Sequence, residues 1–160
     1  MDTAPSSLHA TDLLLRLCAA VIAGAVIGLN RDLRDRPAGV RTHALVGLGS
    51  AIVMVAAVDL PGDPGQAAAL SRTMQGVLTG IGFVGAGVIL HQPDGRTVLG
   101  LTTAATIWVT AALGLVCGLG RWMLAGTGIA LALLVLLGGG PLERVTRRLM
   151  HRPETKPGEL

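Results

Sequence analysis

Charged residues are scarce in this chain, where they make up 14% of 160 residues. A soluble domain of this size carries about 25% charged residues. The charges are also clustered, so that the stretches 73–90, 97–120 and 122–142 contain none. Since a membrane-spanning helix needs ~20 consecutive apolar residues, this pattern excludes an ordinary soluble domain and indicates a membrane protein.

Cysteine and catalytic patterns are sparse as well. Cys18 and Cys117 lie in apolar stretches, where a thiol usually acts as a small hydrophobic group, so we expect no disulfide. No Cys/His spacing is typical of zinc, and no Ser-His-Asp or paired-carboxylate arrangement indicates hydrolysis. Residues 80–85 fit G-x-G-x-x-G, but they lie within an apolar stretch, with Ala105 where an acidic residue is needed. We therefore predict no enzyme, no metal site and no cofactor.

Apolar stretches fill most of the chain. We predict an all-α membrane protein, a bundle of five transmembrane helices near 12–29, 42–60, 74–90, 98–118 and 122–140. The predicted organisation is an outward-facing segment at 1–11, a transmembrane domain at 12–140 and a basic cytoplasmic tail at 141–160. Residues 1–11 contain no Lys or Arg, so the first span does not resemble a cleaved signal peptide.

Lysine and arginine are unevenly distributed over the predicted connections. The first connection holds four, the third holds one and the tail holds five, whereas the opposite side holds Arg72 and Arg121 alone. Positively charged connections stay in the cytoplasm, so we predict an outside N-terminus and a cytoplasmic C-terminus. This bias, with attraction to the lipid bilayer, accounts for the basic composition, and we expect no nucleic-acid partner.

Small residues predict how the helices pack, because close backbone approach holds transmembrane helices together. The candidate packing positions are Gly24 and Gly28 in the first span and Gly76, Gly80, Gly82, Gly85 and Gly87 in the third. The glycines of the third span lie on several sides of the helix, so neighbouring helices could pack on each side. We therefore place this span at the centre of the bundle. The alternative is a local helix break that exposes backbone carbonyls to a cavity.

A row of hydroxyls marks the fourth span. Thr103, Thr106 and Thr110 share one helical face, with Trp108 beside it. Either each hydroxyl bonds a carbonyl of its own helix, which we favour, or the row is a polar track that faces the bundle interior. The row begins near the predicted cytoplasmic surface, close to the polar first connection. The candidate functional residues on this surface are Asn30, Arg31, Asp32, Arg36, Arg41, Thr42, His43, Thr102 and Thr103.

Arg16 is a charged residue that lies inside the first predicted span. Intramembrane charges are often functional, but Arg16 lies about one turn from the outer end, so we expect it to snorkel to the interface, with Asp59 as a possible partner. We expect His43 to be an interfacial polar group rather than a proton relay.

Three aspartates lie in the predicted cytoplasmic connections, at Asp32, Asp35 and Asp94. Magnesium prefers carboxylates and retained waters, so these residues are its natural candidates. Because several arginines lie near them, we expect the carboxylates to form ion pairs with arginine instead.

Three ordered blocks carry a more specific signal. They are residues 27–32 (IGLNRD) followed by 36–46 (RPAGVRTHALV), residues 80–89 (GIGFVGAGVI) and residues 100–114 (GLTTAATIWVTAALG). Together they resemble the MgtC/SapB family of bacterial inner-membrane proteins over roughly residues 13–140. The resemblance implies a multi-span protein of the bacterial inner membrane, linked to growth under magnesium limitation and, in pathogens, to survival inside host cells.

The chain departs from the family pattern in two places. Family members usually carry Glu where this chain has Asn30, so a cation or arginine contact made by that Glu is lost unless Asp32 replaces it. Larger members have a cytoplasmic C-terminal domain, whereas this chain has the short segment 141–160. We expect activities that need that domain to be absent.

Two functional classes follow. One is a membrane regulator or accessory protein that acts through a membrane-protein partner or a second copy of itself, which the small-residue faces favour. The other is a transporter or channel for Mg²⁺ or another cation, which requires coordinating groups at mid-membrane. The candidates for such groups are hydroxyls and carbonyls, with no central carboxylate, so we favour the regulator.

Overall fold

A computed structural model describes residues 9–58, 65–91 and 98–150, and the chain is almost wholly helical there. The helices are α1 (Ala10–Asp32), α2 (Val40–Val58), α3 (Gln66–Gly87), α4 (Leu101–Gly118) and α5 (Trp122–Met150). Two short strands, β1 (Leu90–His91) and β2 (Val98–Leu99), pair antiparallel just before α4. The predicted all-α class is confirmed for these residues.

Four of the described helices are long and apolar enough to cross a membrane: α1, α2, α4 and the Trp122–Gly140 part of α5. The helix α3 is 22 residues long but begins with polar residues, including Gln66, Arg72 and Gln75. The helix α5 continues ten residues past the predicted end of its span. The added part contains Leu, Glu and Arg, which have high helix propensity, although Pro141 supplies no backbone N–H.

The helices α1 and α2 form a tightly packed pair, as the small residues of the first span predicted. A Cβ atom at Gly24 would overlap the backbone carbonyl of His43, and one at Gly28 would lie 2.6 Å from the Cα of Val40. Neither position has room for a larger residue. The two helices are therefore in backbone contact over two successive turns.

The central helix is α4, and the prediction that the third span lies at the centre is wrong. The helix α4 contacts α1, α2, α3 and α5, whereas α3 contacts α2 and α4. In α3, only Gly85 packs closely, with a Cβ position 3.6 Å from the Cβ of Ala104. Nothing lies within 4 Å of the Cβ positions of Gly76, Gly80, Gly82 and Gly87. Glycine permits close packing, but it is equally compatible with an open surface, so composition alone did not locate the centre.

The glycines of α4 explain why this helix is central. A Cβ at Gly114 would lie 2.8 Å from the Cβ of Ser50, and a Cβ at Gly118 would lie 2.8 Å from the Cβ of Met54. Both contacts are with α2. Beside them, Cys117 joins Ala20, Ala51 and Ala125 in a cluster of small buried side chains. Cys18 is exposed.

Arg16 is held at the far end of α4. Its Nη1 donates to the carbonyl of Gly118 at 2.8 Å, and its Nη2 lies 2.9 Å from a carboxylate oxygen of Asp12. The side chain is 14% exposed, so Arg16 is a half-buried link between α1 and α4. It extends toward the end of the bundle, as expected for snorkelling, but protein groups hold it there. A cation near a helix C-terminus is favourable. Asp59, its expected partner, lies outside the described residues.

We predict that Gly24→Ala destabilises the protein. The added methyl group must displace the His43 carbonyl, and overpacking of this kind costs about 1–3 kcal/mol. The matched control is Gly76→Ala, where the added methyl group meets open space. The measurement is the melting temperature of each purified variant in detergent micelles, and equal melting temperatures for the two variants would contradict the close α1–α2 contact.

Candidate functional site

Five polar side chains are buried where α1, α2 and α4 meet, and we call them the buried polar cluster. They are Arg31, His43, Thr103, Thr106 and Thr110, with exposed fractions of 6%, 0%, 2%, 6% and 0%. Arg31 is in the last turn of α1, and His43 is in the first turn of α2. The three threonines lie along α4 and face both.

Arg31 links the end of α1 to the start of α4. Its Nη2 donates to Oγ1 of Thr103 at 2.5 Å. Its Nε is buried and has no hydrogen-bond partner. No carboxylate of the described residues forms an ion pair with it. Buried charges in proteins are usually paired, so this guanidinium is an exception.

His43 joins α2 to the middle threonine of the row. Its Nδ1 lies 3.1 Å from the carbonyl oxygen of Gly39, and its Nε2 lies 3.1 Å from Oγ1 of Thr106. His43 is near the helix end, as expected, but it is buried between helices and does not face the membrane surface. The close approach at Gly24 is what encloses it, because the His43 backbone rests on that glycine.

The threonine row combines both alternatives, since hydroxyls bond their own helix and the row also faces the bundle interior. The hydroxyl of Thr106 donates to the carbonyl of Thr103 at 2.9 Å, and that of Thr110 donates to the carbonyl of Thr106 at 2.8 Å. Each of these hydroxyls bonds its own helix, and the row also faces the bundle interior. The Thr106 hydroxyl also lies within hydrogen-bond distance of Nε2 of His43, so its proton has two possible acceptors. Trp108, which lies beside the row in sequence, is 46% exposed and is not part of it.

Proton counting couples His43 to Thr106. The Gly39 carbonyl can only accept, so Nδ1 of His43 carries a hydrogen in this arrangement. If the ring is neutral, Nε2 accepts, and the Thr106 hydroxyl must turn away from the Thr103 carbonyl to donate to it. If the ring is cationic, Nε2 donates and the Thr106 hydroxyl keeps its helix bond. The charge of His43 and the rotation of this hydroxyl are therefore linked.

The carboxylate of Asp32 caps the start of α2. Its Oδ2 accepts a hydrogen bond from the backbone N–H of Val40 at 3.0 Å, which satisfies a free donor at the start of α2. A Cβ at Gly39 would overlap the same carboxylate. No arginine of the described residues forms an ion pair with Asp32. Asp35 is exposed, with φ of 50°, and forms no ion pair within the described residues, while Asp94 lies outside them.

The structure brings together only part of the predicted surface. Arg31, His43 and Thr103 meet in the cluster, and Asn30 is half-buried beside Arg31 in sequence. The remaining candidates are exposed and lie outside it: Arg36, Arg41, Thr42 and Thr102. Sequence reasoning named Arg31, Arg36 and Arg41 together as candidates, and the buried guanidinium is that of Arg31. Arg31 follows Gly24 and Ile27 at helical spacing, a signal that could have identified its buried face.

Sequence reasoning also missed the part played by Gly100. This residue precedes α4 with φ of 88°, a left-handed conformation that favours glycine. A Cβ there would overlap the carbonyl of Val88. Because position 100 admits no side chain, it cannot cap α4, and the first turn of that helix has no side-chain cap.

The chemistry of the cluster is that of a cationic hydrogen-bond donor site. It contains a guanidinium, an imidazole and three hydroxyls, and no carboxylate. No group of three or more His, Cys, Asp or Glu side chains in the described parts of the chain could hold a metal ion. The arrangement is suited to an anion or to a partner's carbonyl groups, and poorly suited to a divalent cation.

Comparison with known proteins identifies the family. Residues 17–145 match the MgtC family. The protein SrpB of Synechococcus elongatus is 51% identical over 141 residues, which cover 83% of this chain and 78% of SrpB. The protein MgtC of Salmonella typhimurium strain LT2 is 39% identical over 147 residues, which cover 91% of this chain and 59% of that protein.

A third relative carries magnesium in its name. "Putative magnesium transporter YhiD" of Escherichia coli K12 is 41% identical over 151 residues, which cover 88% of this chain and 65% of YhiD. The chain thus spans less than two thirds of the length of the Salmonella and Escherichia relatives. No solved structure matches it. The family match over most of the chain and these identities make the protein a member of the MgtC family.

Proposed function

We propose that this protein is a regulator or accessory protein of the bacterial inner membrane. It supports adaptation to magnesium limitation and, in a pathogen, survival inside host cells. It acts through contact with a membrane partner or a second copy of itself. The observation that carries the proposal is the positive charge of Arg31 in the interior between α1 and α4, where no carboxylate of the described residues forms an ion pair with it.

The buried charge argues against cation transport along the α1–α2–α4 interface. A divalent cation passing beside an unpaired guanidinium is repelled, and in a low-dielectric interior that repulsion is strong. Further along the row, the side-chain oxygens are the neutral hydroxyls of Thr106 and Thr110, and the buried polar cluster contains no carboxylate. Magnesium demands several oxygen ligands and gives up its waters reluctantly, so this interior offers it little. The alternative, a transporter of Mg²⁺ or another cation, rests on the name of the YhiD relative.

Unpartnered helix surfaces support a role in contact. Four glycines of α3 lie open, and Phe83 beside them is 85% exposed. Small residues are the usual means by which transmembrane helices of separate chains approach closely. A partner's helix on α3 would place these glycines in the packing role that the sequence predicted for them.

The same proposal includes five transmembrane spans, with the N-terminus outside. Two contacts support a crossing by α3. Arg31 meets the first turn of α4 at one end of the bundle, and Arg16 meets its last turn at the other. Since α2 starts beside Arg31 and runs to the far end, α3 must return the chain to reach α4. Its 22 residues extend ~33 Å, which matches a bilayer core. A reporter fused at residue 1 is expected to be active outside the cytoplasm, and a cytoplasmic signal would refute this topology.

Transport is tested directly by flux. We expect purified protein in liposomes to give no Mg²⁺ uptake above that of empty liposomes, measured with an enclosed magnesium-sensitive dye. A saturable uptake abolished in Arg31→Gln would contradict the proposal. The control is Gly76→Ala, which alters an open surface of α3. Liposomes with this variant show whether a substitution outside the cluster changes the measured uptake.

The regulatory role is tested by growth. A strain that lacks the gene is expected to grow poorly at limiting magnesium and normally at ample magnesium, and the wild-type gene restores growth. Arg31→Gln is expected to fail because it removes the cluster's charge and its bond to Thr103. Arg41→Gln removes an exposed arginine outside the cluster and should complement at equal protein level. Equal growth of the deletion and wild-type strains at low magnesium would sever the link to magnesium, and complementation by both variants would remove the cluster from the mechanism.

A further inference from the structure

The guanidinium of Arg31 has unmet hydrogen-bonding capacity. Arg31 is 6% exposed, its Nη2 donates to Thr103, and its Nε is buried without a partner. The nearby arginines add positive charge. Arg34 is exposed and donates to the carbonyl of Leu136 at 2.8 Å, and Arg36 is exposed. Asp32, the adjacent carboxylate in sequence, accepts from the Val40 backbone N–H.

The first turn of α4 adds backbone donors that have no acceptor among the described residues. Gly100 supplies no side-chain cap, and the overlap of its Cβ position with the Val88 carbonyl excludes one. The backbone N–H groups of the first turn, those of Leu101, Thr102 and Thr103, have no carbonyl partner within the helix. A helix N-terminus of this kind carries a partial positive charge.

The Arg31 guanidinium lies beside the N-terminus of α4, and two positive charges so close together repel each other. Arg31 bonds the side chain of Thr103, the third residue of α4. A cation at a helix N-terminus is repelled by the helix dipole, whereas an anion there is stabilised. An anion between them would satisfy the guanidinium and the bare helix end at once.

We propose that the end of α1 and the first turn of α4 form a binding site for a phosphate group, with Arg31 as its buried anchor. Guanidinium and helix N-terminal N–H groups are the two protein groups best matched to phosphate oxygens. The phosphate belongs either to a soluble ion or to an anionic lipid headgroup. Headgroups are a natural source, since anionic lipids line the cytoplasmic leaflet. The site stands whether the protein regulates or transports.

The test measures binding by the full-length protein in detergent micelles. Its melting temperature is followed against inorganic phosphate and, separately, against short-chain phosphatidylglycerol, at constant ionic strength set with chloride. Saturable stabilisation gives a Kd for each probe. The variants are Arg31→Gln, Arg31→Lys and Asp94→Asn, with Arg41→Gln as the control for loss of an exposed arginine.

We expect at least one probe to bind saturably. Arg31→Gln should weaken that binding by ~10-fold or more, since charge-assisted bonds are lost, while Arg41→Gln stays within about twofold of wild type. Arg31→Lys keeps the charge without the planar fork and should bind more weakly than wild type even if Arg31→Gln fails to fold. Saturation by inorganic phosphate identifies a soluble ion, and saturation by the lipid alone identifies a headgroup.

Three results would overturn the site. Absence of saturable binding to both probes is the first. Equal weakening in Arg31→Gln and Arg41→Gln would reduce the effect to general surface charge. Binding that appears only in Asp94→Asn would show that the carboxylate of Asp94 already neutralises Arg31.

Discussion

The hydrogen bond between Arg31 and Thr103 is the interaction on which the packing at this end of the bundle depends. Burial of a guanidinium among helices is costly, and here one hydroxyl offsets part of that cost by fixing it to the first turn of α4. The bond ties the α1–α2 pair to the central helix. It also places a positive charge where the chain turns from Gly100 into α4.

Close backbone contact is the second constraint, and it makes the first possible. Gly24 and Gly28 let α2 approach α1 until backbone meets backbone. His43 is enclosed as a result, and its ring reaches Thr106 on α4. At the opposite end, Arg16 bonds the carbonyl of Gly118. Each end of α4 is thus held by an arginine of α1, which leaves α3 and α5 as the more loosely attached elements.

Sequence was most informative where the local pattern determines local structure. Long uncharged stretches predicted the helices, and the four-residue spacing of Gly24 and Gly28 predicted close packing on α1, without indicating which helix packs there. The spacing of Thr103, Thr106 and Thr110 predicted one shared face. In each case a helix of fixed pitch converts spacing directly into a surface.

What could not be predicted depends on contacts between distant segments. The partner of Arg31 is 72 residues away, so helical spacing could mark the buried face of Arg31 but could not predict its bond to Thr103. The glycines of α3 resembled packing positions, yet most of them are open because no described helix lies against them. Asp32 was expected to pair with arginine. Instead its carboxylate caps α2, because the turn at Gly39 places the Val40 N–H within hydrogen-bond distance. Such choices depend on which groups the fold brings together.

The most direct test of this account is a double-mutant cycle on Arg31 and Thr103, read as melting temperatures of Arg31→Gln, Thr103→Val and the double variant. A direct buried bond predicts coupling on the order of 0.5–3 kcal/mol, so Thr103→Val should be far less damaging once Arg31 is gone. Strictly additive effects of the two substitutions would show that Arg31 is not anchored on α4, and the cationic interior would then have to be abandoned.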